Sequence, residues 1–247
     1  MRDDLLDAQA AIDWAVSDLP ILQAKIDAWL NDAPYTLFGD LDSKPGEKII
    51  RLRNVKLIPA IINAEAGVIL HSIRSSLDIL AVALAERNGA TGPKDVYFPV
   101  WKDVAAFTNP RDKTIEKIKR LSTADQAVIK DLKPYKGGND YLFALHDLDI
   151  TRKHRRLVSV FSGLSAILIS AGAARDGVKF VPVWQGFKNE AILATAPARA
   201  SESHIHLDLE IRFTEPRIVS HRPLIKILRE FASLAESIIA LFDGPEL

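Results

Sequence analysis

Apolar positions recur at helical spacing from the start of the chain. Leu5, Ile12, Trp14, Val16, Leu19, Leu22, Ile26, Trp29 and Leu30 predict a helix over 5–30. Pro20 stands inside it and should kink or split it, because proline lacks the amide hydrogen and crowds the preceding turn. Tyr35–Phe38 and Ile49–Arg53 are short β-type runs flanking Asp42-Ser-Lys-Pro-Gly46, which predicts a hairpin. The strongest helical pattern runs from Leu57 to Arg87, with Pro59 tolerable in its first turn and Asn88-Gly89 as its stop. At about 1.5 Å per residue such a helix crosses a whole domain, so it is expected to be central.

Val96–Trp101 reads as a short extended segment, and Lys113–Arg120 as a basic helix. Thr123-Ala-Asp-Gln126 has the capping-box spacing that opens a helix running through Leu132, with Pro134 beyond its end. Lys136-Gly-Gly-Asn139 breaks the chain before a helix over Tyr141–Arg156, with Leu142, Leu145, Leu148 and Ile150 as inward candidates. The pattern then turns to β over Leu157–Ser170, Val178–Trp184, Glu190–Thr195 and His204–Phe213. In the last, Ile205, Leu207, Leu209, Ile211 and Phe213 alternate with His204, His206, Asp208, Glu210 and Arg212, the signature of a sheet with one wet face. Pro223–Phe242 is an amphipathic helix closed by Gly244-Pro245.

The expected fold is α+β. Residues 1–156 form a helical, bundle-like part with a hairpin near 35–53, and residues 157–247 an antiparallel β-meander with a C-terminal amphipathic helix, the two packed as one domain. The uncharged run Leu157–Ala174 follows a basic cluster, as a membrane span would. Its four serines and two glycines dilute its hydrophobicity, and it is read as buried strand.

Composition narrows the chemistry. Lys+Arg and Asp+Glu are both 32 among 247 residues, so no global field favours a polyanion or an anionic membrane, and an anionic partner needs a local patch. The absence of cysteine excludes disulfides, thiol catalysis and thiolate zinc sites. The acidic start MRDDLLDAQ is unlike a signal peptide, so cytoplasm is the expected location and no membrane partner is expected. No glycine-rich phosphate loop, dinucleotide fingerprint or Gly-x-Ser-x-Gly elbow occurs, and no cofactor is expected.

Polar chemistry is concentrated on two helical stretches, His71–Asp78 and His146–Arg156. His71, Arg74 and Asp78 share one face, with Glu65 about a turn and a half earlier, and as a group could supply an acid, a base and an anion clamp. The plain alternative is a polar stripe on a half-buried helix, with Arg74 and Asp78 paired four residues apart. On the second stretch His146 and Asp149 lie one turn apart and Asp147 and His154 two. Facing the first helix, these could gather a metal, but no His-Glu-x-x-His or paired Glu-x-x-His motif exists and no metal is assigned. Arg152, Lys153, His154 and Arg155 are the anion-binding candidates together with Arg74, and Lys113, Lys117, Lys119 and Arg120 could extend the patch. Cations at a helix C-terminus also have a structural use, in binding its last carbonyls. His204-x-His206 could chelate, although alternation alone demands polar residues there.

Arg74-Ser-Ser-Leu-Asp78, Phe98-Pro-Val100, Lys133-Pro-Tyr135, Leu145-His-Asp-Leu148 and Arg152-Lys-His-Arg155 occur in this order over about 90 residues. Together they resemble a widespread bacterial family that has no established activity. That family's Arg-Ser-Ala-Leu-Asp-His helix has the Arg-x4-His spacing of HEPN domains, helical bundles that include metal-independent ribonucleases. In those enzymes the Arg and His resemble a catalytic pair. Here the histidine position is Ile79, which can neither hold phosphate nor move a proton, unless His71 substitutes for it.

Three functions remain open. The first is a HEPN-like binding module for RNA or a nucleotide in which nuclease activity has decayed or is absent. The second is a small-molecule or metal-assisted enzyme using His71, Arg74, Asp78, His146 and His154. The third is a homo-oligomeric interaction protein joined through the C-terminal helix.

Overall fold

The computed structural model describes residues 1–41, 46–54, 56–92, 94–154, 157–169, 179–180, 190–199 and 205–244. The fold is α+β, with six α-helices and six β-strands among these residues. The chain divides into two compact units, each discontinuous in sequence. One comprises Met1–Gln23, Asn63–Ser159 and Phe213–Leu247, the other Ala24–Ile62 and Val160–Arg212.

The first unit is helical. Helix α1 (Leu6–Asn31) contributes its N-terminal turns and buries Ile12, Leu19 and Leu22, with Leu5 buried in the 3-10 turn before it. Pro20 does not end it. One proline removes one hydrogen bond, and the buried leucines on either side, Leu19 and Leu22, hold the helix across the gap. Helix α2 (Ala60–Arg87) is the central element foreseen, with Ile69, Leu70, Ile73, Leu77, Leu80 and Leu84 buried. It ends where Gly89 takes φ +85°, a left-handed conformation that glycine adopts without cost. Among the described residues α2 is the one helix long and apolar enough to cross a membrane, and most of its apolar stretch is buried as a core helix is.

After α2 the chain runs extended through Val96–Trp101, then forms a short helix α3 (Val104–Thr108) that the periodicity did not announce. Asp103 caps it by accepting the Ala106 amide. The basic stretch at Lys113–Ile118 is a 3-10 turn rather than an α-helix. Helix α4 (Thr123–Asp131) is capped by Ser122, one residue earlier than the capping box predicted, and its Oγ accepts the Asp125 amide at 3.0 Å. Helix α5 (Asp140–His154) buries Leu142, Leu145 and Leu148 as expected, but Ile150 is exposed and Asp149 takes the inward place. Helix α6 (Leu224–Ala240) buries Leu224, Ile227, Leu228, Phe231 and Ile238 inside this unit, so its apolar face is spent on its own core.

The second unit carries the sheets. Strands β1 (Tyr35–Leu41) and β2 (Glu47–Asn54) form the predicted hairpin, in register Tyr35 with Asn54. Strand β2 pairs antiparallel with β5 (Glu190–Pro197), and β5 with β4 (Lys179–Phe180), giving the order β1-β2-β5-β4. Strands β3 (Val160–Ile169) and β6 (Ile205–Phe213) make a separate two-stranded sheet. Within Leu157–Ala174, Val160–Ile169 is therefore strand. Most of Val178–Trp184 lies outside the described residues, as do Ser170–Ala174.

Candidate functional site

The two polar helices meet. His71, Arg74 and Asp78 on α2 and His146, Asp149 and Lys153 on α5 repeat the same three-then-four spacing, which brings each set to one helix face. Going up α2 the partners descend α5: Gly67 against Arg152, His71 against Asp149, Arg74 against His146. The two helices thus pair antiparallel along this seam. Gly67 permits the closest approach, since a Cβ there would lie 2.9 Å from Arg152 Cδ and Nε. The stem of Arg152, an anion-binding candidate, is folded onto that glycine.

Arg74 is only 3% exposed. Its Nη1 donates to Asp78 Oδ1 at 2.8 Å, its Nη2 to the Phe98 carbonyl at 2.9 Å and its Nε to His146 Nδ1 at 3.3 Å. Asp78 Oδ1 also accepts the Phe98 amide at 2.9 Å. The Arg74–Asp78 pair therefore satisfies both backbone polar groups of fully buried Phe98, which itself belongs to no strand. Each of the three guanidinium nitrogens thus makes a hydrogen bond inside the fold, and burial keeps the group from a phosphate in solvent.

Asp149 is 2% exposed and pairs with two groups: Oδ1 with His71 Nδ1 at 2.8 Å and Oδ2 with Lys153 Nζ at 2.7 Å. A buried carboxylate requires such partners. The His71 and Lys153 side chains keep 37% and 36% of their surface in solvent. Hydrogen bonding assigns opposite tautomers to the two histidines. His146 Nδ1 accepts from Arg74, so its neutral ring carries the proton on Nε2; His71 Nδ1 faces a carboxylate, so its neutral ring has the lone pair on Nε2. Burial, then the charges of Arg74 and Lys117, push the His146 pKa down to about 3, so this imidazole is neutral at physiological pH. Burial and then Arg74 also lower the Lys117 pKa.

Ser75 Oγ lies 3.5 Å from His71 Nδ1 and 3.4 Å from Nε2. A hydroxyl equidistant from both nitrogens is off the axis of either lone pair, so Ser75, His71 and Asp149 are not arranged as a nucleophilic triad. Among the described residues no group of three or more His, Asp or Glu is gathered to hold a metal ion.

Of the candidates read from the sequence, His71, Arg74, Asp78, His146 and Lys153 converge in this seam. His154 is exposed at the end of α5 and outside the hydrogen-bonded network. Arg155, Arg156, His204 and the His206 side chain lie outside the described residues. The wider basic patch is partly spent, with Lys119 paired to Glu116 and the Arg120 guanidinium donating to the carbonyls of Thr91, Gly92 and Lys94. The Phe98 backbone and Ser75 were missed by the sequence reading. An extended segment without a strand partner is the one signal that could have pointed to Phe98. Compared with known proteins, the chain matches no family model, no curated protein and no solved structure.

Proposed function

We propose that this chain is a cytoplasmic, non-cleaving binding module for a phosphate-bearing ligand, RNA or a nucleotide, in keeping with its HEPN-like resemblance. The contact surface is the exposed edge of the α2–α5 seam, His71 and Lys153 with His154 beside them. The observation that carries this reading is a division of labour. Arg74, the cation that phosphoryl chemistry would need, is buried with each of its nitrogens bonded inside the fold, while His71 and Lys153 are solvent-facing and held side by side by one buried carboxylate. Ile79 supports the same conclusion, because no proton-transfer group follows Arg74 at the ribonuclease spacing.

With Nδ1 committed to Asp149, His71 meets a ligand through Nε2. Binding through the His71–Lys153 edge should be salt-sensitive. The test is fluorescence anisotropy of a labelled single-stranded RNA at low salt, with ATP as competitor. The expected result is saturable, salt-sensitive binding without cleavage, weakened roughly three- to tenfold by His71→Ala and by Lys153→Ala, the range for losing one exposed charged contact. Binding that ignores both variants, or no binding at low salt, sinks the proposal.

A second reading rests on the 2.8 Å His71–Asp149 hydrogen bond, which also suits a general base acting through Nε2. RNA cleavage by the wild type that disappears in His71→Ala would select it over the binding module.

A further inference from the structure

A cavity of about 470 Å³ opens beside the seam, lined by Asp78, Ile79, Val82, Lys94, Val96 and Tyr97. Its volume is in the range of sites for small organic ligands. Ile79 and Val82 are half-buried on successive turns of α2, Val96 is buried and the Tyr97 side chain is largely exposed at the mouth, so the walls are apolar and aromatic. The loop bearing Lys94 is held in place, since Arg120 donates to the Thr91, Gly92 and Lys94 carbonyls at 2.7, 3.0 and 2.9 Å. Little loop ordering is left for a ligand to impose.

Charge selects the occupant. The one anion of the cavity, Asp78, has Oδ1 committed to Arg74 and to the Phe98 amide, which neutralises it. Lys94 is exposed, and its ammonium makes no hydrogen bond or ion pair among the described residues. The balance at the mouth is positive while the interior is apolar.

We infer that this cavity binds a small amphipathic carboxylate, its apolar body against Ile79, Val82, Val96 and the Tyr97 ring and its carboxylate on Lys94 Nζ. This site is separate from the His71–Lys153 edge and stands whether or not that edge binds phosphate.

The experiment is calorimetric titration of the full chain with 4-phenylbutyrate, 4-phenylbutylamine and 4-phenylbutanol, which share a body and differ in charge. The acid should bind saturably and about tenfold more tightly than the amine, with the alcohol between them. Lys94→Ala should remove the preference for the acid while leaving alcohol binding intact, and Val82→Trp, checked for folding by circular dichroism, should abolish binding of all three. Equal or tighter binding of the amine overturns the charge assignment. An acid affinity unchanged in Lys94→Ala, or no saturable binding of the acid by the wild type, overturns the site.

Discussion

Arg74 on α2 donates from Nε to His146 Nδ1 on α5 across 3.3 Å, and this contact fixes the tautomer of a half-buried histidine. The His146 pKa falls from 6.5 to about 3, mainly by burial. The unfolded chain binds a proton at this position below about pH 6.5 and the folded chain does not, so the stability contribution is complete above that pH and is lost progressively as the pH falls toward 3. The loss should approach about 1 kcal/mol per pH unit. His146→Asn keeps an acceptor for Arg74 without the titration. Urea midpoints measured between neutral and acidic pH should fall less steeply in that variant than in the wild type, and parallel slopes would refute the assignment.

Arg74 joins α2 to the Phe98 backbone through a buried fork. Arg74→Ala removes the donor to the Phe98 carbonyl and the partner of Asp78, and should lower unfolding stability by about 3 kcal/mol. Arg74→Lys should recover less than half of that, because one ammonium cannot span acceptors arranged for a planar fork. Denaturant unfolding measures both. A lysine variant as stable as the wild type would show that the fork geometry is unimportant.

The start of α4 separates two neighbouring caps. Ser122→Ala should cost about 1 kcal/mol because the Asp125 amide loses its acceptor, whereas Thr123→Ala should change stability by only a few tenths. The opposite order in thermal unfolding would return the cap to the position the sequence pattern suggested.

Gly138 admits no side chain. A Cβ there would meet the Lys133 carbonyl oxygen at 2.4 Å, in the turn that launches α5, where the Asn139 amide also bonds that oxygen at 2.8 Å. Gly138→Ala should destabilise by about 2 kcal/mol or more, because the neighbour that must yield is backbone rather than a mobile side-chain end. Gly137, with φ +90° and nothing near its absent Cβ, should tolerate Asn far better than Gly138 tolerates Ala. Unfolding midpoints of the two variants provide the comparison.

The amino-acid sequence by itself determined the local elements and the residues that matter on them. Periods of 3.6 and 2 announced α2, α5, α6, the hairpin and β6, because amphipathicity is a local property of a strand or helix. The same spacing put His71, Arg74 and Asp78 on one face before any partner was known. What only the tertiary structure decided is who meets whom. Pairing β2 with β5 joins residues nearly 150 positions apart, and strand pairing leaves no mark in local periodicity. Whether Arg74 is an anion clamp or a splint depends on the Phe98 carbonyl and His146 closing around it, and the pairing of buried Asp149 with His71 depends on α2 lying against α5. Sequence spacing selects a face. Burial and the distance to a partner on another element decide whether a charge on that face holds the fold together or remains available to a ligand.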